Sequence, residues 1–169
     1  ETATGPRKNG ITTLHGAARF VDNHTIEVEG ERFPSRYVLV ATGALPRSMD
    51  IPGAEHLIDN AQFMALEELP DRLLFVGGGY ISFEFAHMAA RAGAHTTIIN
   101  RGDRPLKAFD PDLVDQLVAR STTAGIDFRP STTLKSIEKT PDGFVVVGEQ
   151  NGKPQQWTVD RVVHGAGRA

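Results

Sequence analysis

The chain contains no cysteine, which excludes disulfide frameworks, thiolate metal sites and dithiol chemistry within these residues. Any redox chemistry performed here must come from a bound cofactor. Long apolar runs are missing too: none approaches the ~20 residues that a membrane-spanning helix needs. The first residues also lack the charged-then-apolar pattern of a signal sequence. The expectations that follow are a cytoplasmic protein and no membrane partner. Neither sign of charge dominates, because 18 Lys and Arg against 21 Asp and Glu leave a formal net charge of -3. These charges are interspersed, so nothing in the electrostatics favours a polyanion, and nucleic acid is not an expected partner. His15, His24, His56, His87, His95 and His164 are scattered without metal-ligand spacing, so no metal site is expected.

What is present suits a globular fold. With 169 residues, 40% of them hydrophobic, the chain can build one domain, or one domain and part of another. It begins at Glu1 and ends on Gly165-Ala166-Gly167-Arg168-Ala169, directly after an apolar strand, and so reads as a piece of a larger protein. Thr13–His15, Ala18–Val21 and Thr25–Val28, with Gly30 turning, predict a β-meander that feeds Tyr37–Val40. Val38-Leu39-Val40-Ala41 lacks polar alternation, as a strand covered on both faces would. Pro46, Pro52 and Gly53 then read as a linker, with a domain boundary near Asp50. The expected division is residues 1–50 and 51–169.

Beyond that point strands and helices alternate. After a short helix from Asn60 to Glu68, the expected order is strand Leu73–Val76, helix Tyr80–Arg91, strand His95–Asn100, and a helix from the Asp110-Pro111 cap to Thr123. Strands at Ile126–Phe128, Thr133–Ile137, Phe144–Val147, Gln155–Val159 and Arg161–His164 follow. The turn dipeptides Asp142-Gly143 and Asn151-Gly152 make the later ones a hairpin or small meander. Such alternation is the mark of an α/β fold with a parallel sheet.

The sharpest signal is Gly77-x-Gly79-x-x-Ser82, set between an apolar strand and an amphipathic helix. Glycine at the first position permits the tight turn, and Gly79 lets a pyrophosphate approach the backbone where a Cβ would obstruct it. The helix N-terminus offers unpaired N–H groups and partial positive charge. Taken alone, the glycines also fit a mere tight connection. The third position is Ser82 in place of Gly or Ala, so close helix-to-strand packing must accommodate a hydroxyl. About 20 residues on, where a dinucleotide fold carries its adenosine-ribose reader, stands the neutral Asn100. Arg101, Arg104 and Lys107 follow it and suit a 2′-phosphate; a solvated basic loop is the plainer alternative.

Gly77-Gly78-Gly79-Tyr80-Ile81-Ser82-Phe83-Glu84, preceded by Leu69-Pro70 and followed by Asn100-Arg101-Gly102-Asp103-Arg104-Pro105-Leu106-Lys107-Ala108-Phe109-Asp110, resembles the NADPH domain of the glutathione reductase family of pyridine nucleotide-disulfide oxidoreductases. Gly16-Ala17-Ala18-Arg19-Phe20 and Ala41-Thr42-Gly43 resemble the family's meander and a segment beside the flavin. Gly165-Ala166-Gly167-Arg168 is similar to the second such segment. The resemblance implies a Rossmann-like NAD(P)-binding domain in residues 51–169 and part of an FAD-binding domain in residues 1–50. It implies that the intact protein is an NAD(P)H:disulfide oxidoreductase, dimeric through a domain outside this chain, while this piece alone binds NADPH and reduces nothing.

The same resemblance implies the site. Gly77, Gly78, Gly79, Ile81 and Glu84 would line the NADPH site, with Glu84 near the nicotinamide amide. Arg101 and Lys107 would hold the 2′-phosphate, Gly167 would touch the nicotinamide side, and Tyr80 would gate the pocket. Tyr80 and Glu84 are the residues closest to catalysis. Ala18, Thr42 and Gly43 would contact FAD. Lys107 stands where glutathione reductases carry arginine, keeping the charge and losing the bidentate fork. By residue type alone, Tyr80 also fits simple packing on the sheet, and Glu84 simple stabilisation of the helix's first turn. Two other functions fit parts of the sequence: a stand-alone dehydrogenase, for which the length supplies neither a substrate domain nor a general acid, and a non-catalytic NAD(P)-binding sensor or interaction module.

Overall fold

Runs such as Leu73-Leu74-Phe75-Val76 have no polar alternation because both faces of the strand they form are covered. Leu73 and Phe75 belong to one buried cluster with Phe83, Ala86, Ala89, Ile98 and Val163. Leu74 and Val76 belong to another with Leu134, Ile137, Val146 and Val162. The structure, a computed structural model, describes residues 8–168. It divides into two compact units, residues up to Gly43 and residues from Ala44 on.

The first unit is an antiparallel sheet of β1 (Ala18–Asp22), β2 (Thr25–Val28) and β3 (Glu31–Pro34), in that order. Glu29 and Gly30, with φ of 49° and 84°, make the tight β2–β3 turn. Glu27 bonds both Arg19 and Arg32 across the strands, and the Arg19 guanidinium holds its carboxyl below the usual carboxylate range. Two expectations fail here. Thr13–His15 forms no strand, and Tyr37–Val40 is neither a strand nor covered: Tyr37 is 82% and Leu39 90% exposed. An apolar run becomes a buried strand only beside partners that complete its hydrogen-bond ladder, and Tyr37–Val40 joins none of the sheets of the described residues. The third strand, Glu31–Pro34, was not anticipated, because Pro34 and the charged Glu31 and Arg32 disguise it.

The second unit contains a parallel sheet in the order β4 (Leu57–Ile58), β11 (Arg161–His164), β5 (Arg72–Val76), β6 (His95–Ile99) and β7 (Asp127–Arg129). One face carries α2 (Tyr80–Arg91) and α3 (Pro111–Thr123), whose apolar stripes enter the first cluster. The other face carries an antiparallel sheet of β8 (Thr132–Thr140), β9 (Gly143–Gln150) and β10 (Lys153–Val159). Asn151 and Gly152, with φ of 49° and 79°, form the β9–β10 turn that their dipeptide predicts. The α/β reading with a parallel sheet is therefore correct.

Helix starts follow their caps. Asp110 accepts from the N–H groups of Asp112 and Leu113, and Pro111 supplies the first turn of α3. Asp59 and Gln62 form a reciprocal capping box at α1 (Asn60–Met64). That helix stops at Met64, earlier than the expected Glu68. The division between units falls after Gly43, so Ala44–Asp50 lies with the second unit. There Met49 and Ile51 pack on the second apolar cluster, and His164 Nε2 lies 2.8 Å from Arg47 O. The stretch read as a linker is part of the folded body.

Candidate functional site

Parallel strands put their carboxyl ends at one edge of the sheet, and ligands of open α/β sheets bind in the crevice outside those ends. Here β5 ends at Val76, β6 at Ile99 and β11 at His164. The residues just beyond them, Gly77–Ile81, Asn100–Gly102 and Gly165–Arg168, line one cleft of about 930 Å³. That volume lies at the upper end of the ~300–1,000 Å³ typical of small-molecule sites. The strand ends are knitted together: Gly77 N donates to Ile99 O and Gly165 N to Val76 O, each at 2.8 Å.

The glycines are required by chain packing as much as by any ligand. Gly77 has φ of 102°, and a Cβ there would meet Ala166 Cα and Gly165 O at 2.6 Å. A Cβ at Gly78 would lie 2.8 Å from both the Asn100 side chain and Pro105 Cβ. Gly79 is the N-cap of α2 and has no side chain to cap it, so the first-turn N–H groups stay uncapped at the cleft. Uncapped amides at a helix mouth are donors for phosphate oxygens.

The basic loop is tied to that turn, with Leu106 N donating to Gly78 O at 2.9 Å. Arg101 and Lys107 line the cleft, are exposed, and make no ion pair with described residues. Arg104 differs, because its guanidinium donates to Pro111 O at 2.7 Å and Asp115 Oδ1 at 2.9 Å. It staples the loop to α3 and is not a free cation for a ligand. Two exposed cations and the uncapped first turn of α2 thus line one cleft. The donor set therefore suits the pyridine nucleotide that the sequence implies.

Of the residues expected in the nucleotide site, Gly77, Gly78, Gly79, Tyr80, Ile81, Arg101, Lys107 and Gly167 all line this cleft. Glu84 does not. It lines a second, more apolar cavity of about 440 Å³ with Phe83, His87, Leu113 and Leu117; Tyr80, Leu106 and Phe109 border both cavities. Tyr80, 55% exposed, stands at the junction. Ala18, Thr42 and Gly43 are exposed in the first unit and line neither of these two cavities. Among the described residues no group of three or more His, Asp or Glu is arranged to hold a metal ion, and no helix is long and apolar enough to cross a membrane.

Two stretches of cleft wall were not anticipated: Arg47–Ile51 and Thr132–Leu134. The alternating Met49 and Ile51 were the available signal for the first. The second is joined to the site by Thr132 N, which donates to Asn100 O at 2.8 Å.

Known proteins are similar to this chain in sequence and fold. The chain is 34% identical to glutathione reductase of Nostoc sp. over 82% of its length and 30% of that protein's. To mercuric reductase of Staphylococcus aureus it is 30% identical, over 94% of this chain and 29% of the relative. The chain thus spans about a third or less of these relatives. In three dimensions it is similar to the HOCl-induced flavoprotein disulfide reductase RclA from Escherichia coli, with a TM-score of 0.74 and 28% identity, covering 94% of this chain and 36% of that one. The family model of pyridine nucleotide-disulphide oxidoreductases matches residues 2–169. Sequence and fold agree, and this chain belongs to the pyridine nucleotide-disulphide oxidoreductase family.

Proposed function

We propose that this chain is the nucleotide-presenting part of an FAD-dependent oxidoreductase, and that it prefers NADPH to NADH. One observation carries the reading: the cleft at the strand ends is lined by the uncapped first turn of α2 and by the cations Arg101 and Lys107, which make no ion pair with described residues. In this proposal the amides of the Gly79–Ile81 turn grip the linking phosphates, and the two cations select the 2′-phosphate. Gly167 borders the nicotinamide end. Tyr80, at the mouth shared by both cavities, controls access to it, and Glu84 acts from the adjoining cavity. Reduced nicotinamide supplies a hydride for a flavin held mainly by segments outside this chain. The residues described here bind, orient and exclude water, and the chemistry belongs to the cofactors. The similarity to glutathione and mercuric reductases supports oxidoreductase activity in the intact protein and leaves its final acceptor open between their chemistries.

Calorimetric titration tests the preference. A charged hydrogen bond contributes about 1.5–3 kcal/mol, so NADPH should bind at least tenfold more tightly than NADH. Changing both cations, Arg101→Gln with Lys107→Gln, should bring the two affinities together. Equal affinities in the unmodified chain would defeat the specificity reading.

A further inference from the structure

Asn100 occupies the place where a dinucleotide fold carries its ribose reader, yet its side chain is committed within the protein. Oδ1 accepts from Gly78 N at 3.1 Å. Nδ2 donates to Gly102 O at 2.8 Å and to Arg104 O at 3.1 Å. Both amide hydrogens are therefore used, and none is left to offer a ribose hydroxyl. The arrangement also fixes which residue can serve. A carboxylate could accept from Gly78 but would face two carbonyl oxygens, and an aliphatic side chain would leave all three backbone groups unanswered.

The three partners belong to two different loops. Gly78 lies in the turn before α2, while Gly102 and Arg104 lie in the loop that carries Arg101 and Lys107. Leu106 N adds a second tie by donating to Gly78 O at 2.9 Å. Gly78 is thus engaged through both its N–H and its C=O. Its amide holds the neighbouring loop and is not a phosphate donor, which leaves that task to the turn beyond it. The backbone of Asn100 is itself fixed, with its N donating to Arg129 O at 2.9 Å and its O accepting from Thr132 N at 2.8 Å. A side chain anchored in this way can set the spacing between the two loops.

We propose that Asn100 is a positioning residue that couples the turn gripping the linking phosphates to the loop selecting the 2′-phosphate. It rests on the NADPH reading above and deepens it. Preference for NADPH depends on Arg101 and Lys107 standing at one distance from the α2 amides. The Asn100 amide sets that distance without touching the ligand.

The test uses the full 169-residue chain with Asn100→Ala and Asn100→Leu. Leucine nearly matches asparagine in shape and is neutral, so it keeps the volume and the charge while removing the hydrogen bonds. Affinities for NADPH, NADH, adenosine 2′,5′-bisphosphate and 5′-AMP are measured by calorimetry, and amide hydrogen exchange is followed at Gly78 and Leu106. In both variants the NADPH-to-NADH ratio and the bisphosphate-to-monophosphate ratio should fall about tenfold. Exchange should quicken at Gly78 and Leu106 while Phe75 and Ile98, in the core, remain protected. A merely structural loss would weaken all four ligands equally and leave the ratios unchanged. Unchanged ratios in a variant with an intact core, or undiminished protection at Gly78, overturn the coupling while the NADPH site stands. If the unmodified chain already fails to distinguish a 2′-phosphate, the NADPH reading and the coupling fall together.

Discussion

Replacing Ser82 by alanine should stabilise this protein, although it deletes atoms from a fully buried position. Ser82 lies on α2 against the β11 end, with no exposed surface, and its hydroxyl has no hydrogen-bond partner among the described residues. A buried polar group left unsatisfied costs about 1–3 kcal/mol, offset in part by the packing contacts that its oxygen makes. A net gain of about 1 kcal/mol is expected, which raises Tm by about 2–4 °C for a domain of this size. The hydroxyl also explains Gly165. A Cβ built there would fall well inside van der Waals contact distance of Ser82 Oγ, whereas its next neighbours, Ser82 Cβ and Val76 O, are 3.2 and 3.3 Å away. Gly165→Ala alone should therefore cost about 1–3 kcal/mol by overpacking. In the Ser82→Ala background most of that cost should vanish. Thermal and urea denaturation of the parent, both single variants and the double variant give the coupling as a double-mutant cycle. A Ser82→Ala protein no more stable than its parent, or strictly additive effects, would refute the reasoning.

Two pH-dependent predictions follow from paired side chains. His87 Nε2 lies 2.9 Å from Ser121 Oγ, which donates to Leu117 O, and burial, with help from Arg91, pushes the imidazole below its usual pKa of 6.5. The unfolded chain then binds the proton more readily, so stability is full above about pH 6.5 and declines as pH falls from there towards the lower folded pKa. His87→Gln, which keeps a donor for Ser121, should flatten that part of the urea-stability profile; a slope of the same size would assign it to other groups. The second pair is Arg72 and Asp160, bonded at 2.6 Å, with Asp160 also accepting from Arg72 N at 2.8 Å. These bonds hold the Asp160 carboxyl below the usual carboxylate range. Its contribution is present at neutral pH and is lost as pH falls through the folded pKa. Because the pair is partly exposed, Asp160→Asn should cost only about 1 kcal/mol at pH 7 and nothing at a pH where the native carboxyl is protonated. An equal loss at both pH values would contradict the pairing.

Leu73–Val76 and Val162-Val163 of the parallel sheet were legible because being covered on both faces writes itself as an unbroken apolar run, whereas the two-residue strand Leu57–Ile58 was not anticipated. Helix starts were legible where a cap stands in the sequence, as at Asp110-Pro111. Failure came where pattern and environment separate. Tyr37–Val40 has the composition of a buried strand, but composition does not supply a neighbour, and those side chains are exposed. The residues from Arg47 to Ile51 looked like a linker because prolines flank them, yet they form a wall of the cleft. Glu84 shares a helix face with Tyr80, as its spacing requires, but that face opens on the second cavity as well as the first.

What the amino-acid order determined alone is local: the alternation of strand and helix, the positive-φ turns at Gly77 and Asn151-Gly152, and the presence of cations after the second strand of the nucleotide fold. The tertiary structure decided which of those cations are free, because Arg104 reaches Asp115 only once α3 packs beside its loop. It also decided that Asn100 bonds Gly78, 22 residues away, and that His164 meets Arg47 across 117 residues. Side-chain hydrogen bonds act over about 3 Å, so their partners are set by which segments the folded sheet brings together and leave no periodic trace along the chain.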